Sequence, residues 1–100
     1  MYTYNATVVR WIDGDTVQLA VDLGFNISMV QIFRLLGIDT PERGEPNYHE
    51  ARECSISIAP VNTQLKIVTH KRDKYGRWLT EIPQVADALT KRSLLKVKEV

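Results

Sequence analysis

The stretch "ATVVRWIDGDTVQLAVDL", Ala6 to Leu23, decides how the chain is read. In its second half Val17, Leu19 and Val21 fall on one face and Gln18, Ala20 and Asp22 on the other, the period of two of a half-buried strand. Its first half, "ATVVRWI", is rich in β-branched and aromatic residues, and Asp13-Gly14 between the halves is a hairpin turn signal. The chain therefore opens as two antiparallel strands joined by a tight turn.

Working outward, a second turn around Gly24 leads into "ISMVQIFRLLGI". Further on, "QLKIVTHK" and "RWLTEI" are strand candidates joined through Asp73-Lys74-Tyr75-Gly76, which brings the strands to five. Helical signals are fewer. "EPNYHEAREC" suits a helix after Pro46 with Asn47 as its cap, but the β-branched "SISIAP" and Pro60 predict that it is short. "VADALTKRSLLKV", residues 85–97, places Val85, Ala88 and Leu89 at helical spacing, with Lys91 and Arg92 late, where the helix dipole favours cations. Three strands, a helix, two strands and a helix predict an α+β, mainly β fold: a five-stranded OB-fold barrel with two flanking helices, whose closure removes exposed sheet edges.

Bulk properties bound the function. One hundred residues with 44% hydrophobic content make one domain, 1–100, with one modest core. No run approaches the ~20 apolar residues of a membrane span, and the amino terminus lacks a charged region followed by an apolar one. The expectation is a soluble, cytoplasmic chain with no membrane association and no evident protein partner. Cys54 stands alone, which excludes an internal disulfide framework and a cysteine zinc site and makes it a packing residue. Charge is unevenly placed: residues 1–60 hold four basic residues against eight acids, a net −4, and 61–100 hold nine against four, a net +5. An acidic half attracts a metal cation and a basic half attracts phosphate, although on charge alone a solvated surface is the favoured reading.

The chemistry concentrates in "FRLLGIDTPE", Phe33 to Glu42. Arg34 shares strand parity with Ile32 and Leu36, opposite Phe33 and Leu35, which puts its guanidinium near or inside the barrel wall. An unpaired charge there is costly, so it needs an anion, either a carboxylate of this chain or a phosphate that arrives with a ligand. Asp15 follows one turn and Asp39 ends a strand on the same side of the barrel. Converging with backbone or Thr40 oxygens they form a hard-oxygen site suited to Ca²⁺; read singly, each is more readily a turn or strand-exit residue. Glu42 follows Pro41, whose fixed φ limits the loop, and a carboxylate held beside a metal can act as general base toward a water. In "KRDKYGRWL", Arg77 leaves a turn at the start of a strand, where it can join Arg34 on one face, while Asp73, Lys74 and Tyr75 also suit a solvated hairpin tip. Two guanidinium groups and a divalent cation meeting at one point are what phosphoryl transfer needs.

"VVRWIDGDTVQL", "FRLLGIDTPE" and "DKYGRWL", in this order and at these intervals, resemble the staphylococcal nuclease (thermonuclease) family, over roughly Ala6 to Val97. The form "VDLGF" and the absence of an export signal are most similar to phage or bacterial intracellular members. The resemblance implies an OB-fold nuclease that hydrolyses phosphodiester bonds of DNA and RNA with Ca²⁺ and leaves 3′-phosphate ends, single strands being preferred. By motif position it implies Asp15 and Asp39 as carboxylate ligands of calcium, with Thr40 adding its backbone carbonyl, and Glu42 as the residue that positions or activates water. Arg34 and Arg77 then bind the scissile phosphate, and Lys74 and Tyr75 lie beside the nucleotide's terminal phosphate. Ser93 stands where a helix-ending glycine is usual, which predicts a different ending. The alternative reading is a non-catalytic OB-fold module that binds single-stranded nucleic acid.

Overall fold

The computed structural model describes residues 2–95. Five strands, β1 (Tyr2–Asp13), β2 (Thr16–Asp22), β3 (Ser28–Leu35), β4 (Gln64–Arg72) and β5 (Trp78–Glu81), form a closed barrel in the order β1-β2-β3-β5-β4. Helix α1 (Tyr48–Ile58) joins β3 to β4, and α2 (Pro83–Lys91) follows β5. This is the mainly-β, OB-like barrel with two helices that the sequence predicts. All pairings are antiparallel except β3 with β5, where Phe33, Arg34 and Leu35 pair with Trp78, Leu79 and Thr80.

The period of two decides what fills the barrel. Val17, Leu19 and Val21 are buried, and across the β1-β2 ladder Trp11 lies opposite Val17 and Val8 opposite Leu19. Phe33, Leu35 and Ile67 complete the interior, while Ala51, Cys54, Val85 and Leu89 connect it to the two helices. Cys54 is buried as a small packing residue. Trp11 donates from Nε1 to the Ala59 carbonyl at 2.8 Å, so the polar end of the largest core side chain also anchors the end of α1.

Four local expectations are corrected. α1 does not stop before "SISIAP": Ser55, Ile56, Ser57 and Ile58 belong to it. Packing outweighs β-branched propensity here, because continuing the helix buries Ser55 and lets its Oγ donate to the Gly14 carbonyl at 2.7 Å. The helix ends at Ala59, and Pro60 cannot continue it. Asn47 occupies the N-cap position of α1, but its side chain makes no capping bond; it sits at φ 68, a left-handed conformation asparagine tolerates. α2 begins earlier than the apolar pattern indicates, with Pro83 in its first turn, where a missing N–H costs nothing. It ends at Lys91; the expected continuation through Val97 lies partly outside the described residues. Nor does Ser93 change the ending. It takes up φ 56, the glycine conformation, with Ser93 N–H donating to Thr90 O and Leu94 N–H to Leu89 O, the Schellman pattern.

Candidate metal and phosphate site

At the β1-β2 turn, glycine is required by space rather than by φ. Gly14 is not among the positive-φ residues, but a Cβ there would lie 3.0 Å from the Ala51 Cβ and 3.1 Å from the Thr40 Cγ2. The turn is thereby pressed between α1 and the segment after β3, and the next residue, Asp15, is buried. Its Oδ1 accepts from the Thr16 hydroxyl at 3.0 Å and its Oδ2 from the Thr40 backbone N–H at 3.1 Å. One carboxylate thus ties together β2 and the loop that leaves β3. Asp13, on the other side of the turn, accepts from the Tyr48 hydroxyl of α1 at 2.9 Å.

β3 supplies the cation. Phe33 and Leu35 point into the core, so Arg34 faces out beside Ile32, with its side chain 24% exposed. Its Nη2 lies 2.9 Å from Asp39 Oδ1 and 3.4 Å from Asp15 Oδ2. The anion that Arg34 needs is therefore supplied by the chain, and a single guanidinium nitrogen stands between the two acids. That contact brings Asp15 and Asp39 together from positions 24 residues apart in the chain.

The second guanidinium comes from the β4-β5 turn. Asp73 Oδ1 accepts the backbone N–H groups of Tyr75 and Arg77 at 2.9 and 3.0 Å, and its Oδ2 accepts from Arg77 Nε at 3.0 Å. Arg77 Nη2 lies 2.8 Å from the same oxygen. Burial opposes ionisation of Asp73, but the two backbone donors and the Arg77 guanidinium outweigh it and hold the carboxyl below its ordinary value. Tyr75 is exposed between two cations, with Lys74 Nζ 5.1 Å and Arg77 Cζ 5.2 Å from its ring centre.

These segments meet in one concavity of about 450 Å³. Asp15, Arg34, Asp39, Thr40, Glu42, Lys74, Tyr75 and Arg77, every residue that the sequence singles out, line it. Asp13, Thr16 and Asp73 are further lining residues; sequence reasoning left Asp13 and Asp73 as turn residues and Thr16 as the first residue of a strand. Asp73 had a legible signal, an aspartate four positions before an arginine across a Gly-containing turn. Five carboxylates (Asp13, Asp15, Asp39, Glu42, Asp73) face three cations in this space, a balance that favours uptake of a cation before a phosphate. Glu42 is exposed at the rim, and its backbone N–H donates to Glu45 Oε1 at 2.7 Å.

Among the described residues, no three or more His, Cys, Asp or Glu side chains are grouped to hold a metal ion. The donors at Asp15 and Asp39 nevertheless suit Ca²⁺ chemically. They are carboxylate oxygens, and beside them Thr40 Oγ1 is buried without a hydrogen-bond partner. Compared with models of known families and with curated proteins, the chain matches none.

Proposed function

We propose that the protein is a Ca²⁺-dependent nuclease, a hydrolase of phosphodiester bonds in DNA and RNA that prefers single strands, cuts internally and leaves 3′-phosphate ends. The observation that carries this reading is the meeting of Asp15, Asp39, Thr40, Glu42, Arg34 and Arg77 in one concavity, from three separate segments. The resemblance of those segments to the staphylococcal nuclease family supports the same conclusion.

Asp15, Asp39 and Thr40 would hold the ion. When bound, Ca²⁺ supplies positive charge against a phosphoryl oxygen and acidifies water. Glu42 takes the proton of the attacking water as its oxygen bonds to phosphorus; the P–O5′ bond breaks, and the departing oxygen is protonated from solvent. Arg34 and Arg77 receive the phosphoryl oxygens, and each must first leave a carboxylate, Arg34 that of Asp39 and Asp15, Arg77 that of Asp73. Exchanging one charge-assisted pair for another keeps the cost of that release small. Tyr75 offers a flat ring and Lys74 a point charge to the nucleotide beside the site.

The test is digestion of single-stranded DNA with Ca²⁺, and with EDTA as control, by the wild type, Glu42→Gln and Arg34→Ala. Loss of either group is expected to slow cutting by on the order of 10² to 10³. Equal digestion by all three would defeat the roles assigned. A second reading, a binding module that does not cut, is favoured by one observation: both guanidinium groups already have carboxylate partners. Binding without digestion by the wild type at every Ca²⁺ concentration would establish it instead.

A further inference from the structure

The β2-β3 hairpin carries an apolar surface that the candidate site does not use. From Leu23 to Phe33 the chain reads "LGFNISMVQIF", with no charged residue and no proline. β3 pairs with β2 along its length but with β5 only from Phe33 onward, so among the described residues Ser28–Ile32 has one edge with no strand beside it. Side chains on both faces of that edge are exposed, Met29 by 49%, Val30 by 50% and Ile32 by 38%. Natural edges are normally blunted by lysine, proline or a bulge, and this one has no such charge or proline.

The hairpin tip adds a second observation. Phe25 is 96% exposed and holds φ 56, a backbone conformation unfavourable for a bulky residue. The turn itself uses that conformation, with Asn26 at φ 60 and the Ile27 N–H donating to the Gly24 carbonyl at 2.9 Å, but the Phe25 ring is left almost wholly without cover by the described residues. Close to the tip, the barrel mouth opens as a concavity of about 250 Å³ lined by Tyr2, Tyr4, Leu23, Met29, Phe33 and Trp78.

We propose that this surface binds a second copy of the chain. The two Ser28–Ile32 edges run antiparallel about a two-fold axis at Val30, and each Phe25 reaches the aromatic mouth of the other copy. Edge pairing satisfies the outward ladder groups, and a two-fold interface is self-complementary by construction. Antiparallel pairing about Val30 sets Val30 against its own copy and Met29 against Gln31, so no charge need find an opposite, and the absence of charge from Leu23 to Phe33 suits a second copy. A phosphate-bearing partner would require cations that this stretch lacks. The exposed apolar residues from Leu23 to Ile32 amount to roughly 600 Å² per copy, at the top of what a monomer usually exposes and approaching one partner's share of a standard interface. The proposal rests on neither the metal site nor the nuclease reading.

Sedimentation of the wild type between roughly 1 and 100 µM, a range that reports micromolar association, is the test. It is repeated with Val30→Lys, Val30→Glu, an equimolar mixture of the two, and Phe25→Ser. The expected result is a wild-type dimer, at least tenfold weaker association for each variant alone, and recovery of the dimer in the mixture, where lysine meets glutamate. Circular dichroism of dilute samples checks folding; should a Val30 variant unfold, Phe25→Ser carries the test, because its ring is almost wholly in solvent. A wild type that stays monomeric, variants that associate as tightly as it does, or a mixture that does not recover would overturn the proposal. So would association that requires an added thymidine oligonucleotide, which would assign the surface to nucleic acid.

Discussion

Replacing Arg34 with alanine is expected to lower stability without Ca²⁺ and to enlarge the stabilisation by Ca²⁺ that the proposed function implies. The guanidinium lies 2.9 Å from Asp39 and 3.4 Å from Asp15, with side-chain exposures of 24% for Arg34, 10% for Asp15 and 45% for Asp39. Breaking a fully buried pair costs about 3–5 kcal/mol and an exposed one below about 1, so this half-sheltered pair is placed at about 2 kcal/mol. Asp15 keeps its bonds from Thr16 and Thr40, which holds the loss toward the lower figure. For a chain of this size about 2 kcal/mol corresponds to a fall in Tm of roughly 8–16 °C. On the proposed function Ca²⁺ is expected to act in the opposite direction, because the variant has two carboxylates with no competing cation between them. A tenfold gain in affinity would add about 1.4 kcal/mol to the Ca²⁺ stabilisation of the variant over that of the wild type. The assay is thermal unfolding of both proteins across a Ca²⁺ titration at constant ionic strength. A Ca²⁺ shift no larger in the variant than in the wild type would refute the idea that Arg34 and the ion compete for the same oxygens.

Four further outcomes are expected. Ser93→Gly should raise stability by about 1 kcal/mol in thermal or urea unfolding, because the cap geometry at φ 56 stays and the strain of a Cβ is removed. Gly14→Ala should lower it by about 1–3 kcal/mol, since the new methyl would meet Ala51 at 3.0 Å, and should weaken Ca²⁺ binding by displacing Asp15. Thr40→Val keeps the shape and removes a buried hydroxyl that lacks a partner, so without Ca²⁺ it should melt higher, by about 1 kcal/mol. For Asp73, an NMR pH titration should find the carboxyl below 3.8. Its folded value is depressed, so its contribution is complete above the ordinary carboxylate range and is lost as pH falls through the folded value; Asp73→Asn should abolish that acid transition.

Much of the fold is legible in side-chain periodicity. Strands announce themselves where one face is buried and the other is wet, as Val17, Leu19 and Val21 do. The sequence misled where a tertiary contact outweighed local preference. Ile56 and Ile58 have strand propensity, yet they stay helical because Ser55 and Cys54 are drawn into the core on the same helix. Asp13-Gly14 reads only as a hairpin turn signal, whereas the structure uses Gly14 for its lack of a side chain against Ala51 and Thr40.

The candidate site divides in the same way. Residue types and their order, two aspartates, two arginines and a glutamate beyond a proline, are properties of the sequence alone, and so is the inference that Arg34 needs an anion. Which anion it finds is not, because Asp15 and Asp39 lie on different segments and only barrel closure sets them on either side of one guanidinium nitrogen. The pairing of Arg77 with Asp73 was within reach of sequence, being local to one turn. The free edge of β3 was not, since the pattern that marks a strand is silent about which neighbours it has. Periodicity is a one-dimensional consequence of burial, and so it can be read along the chain; partners are chosen by distance in space, which the fold alone decides.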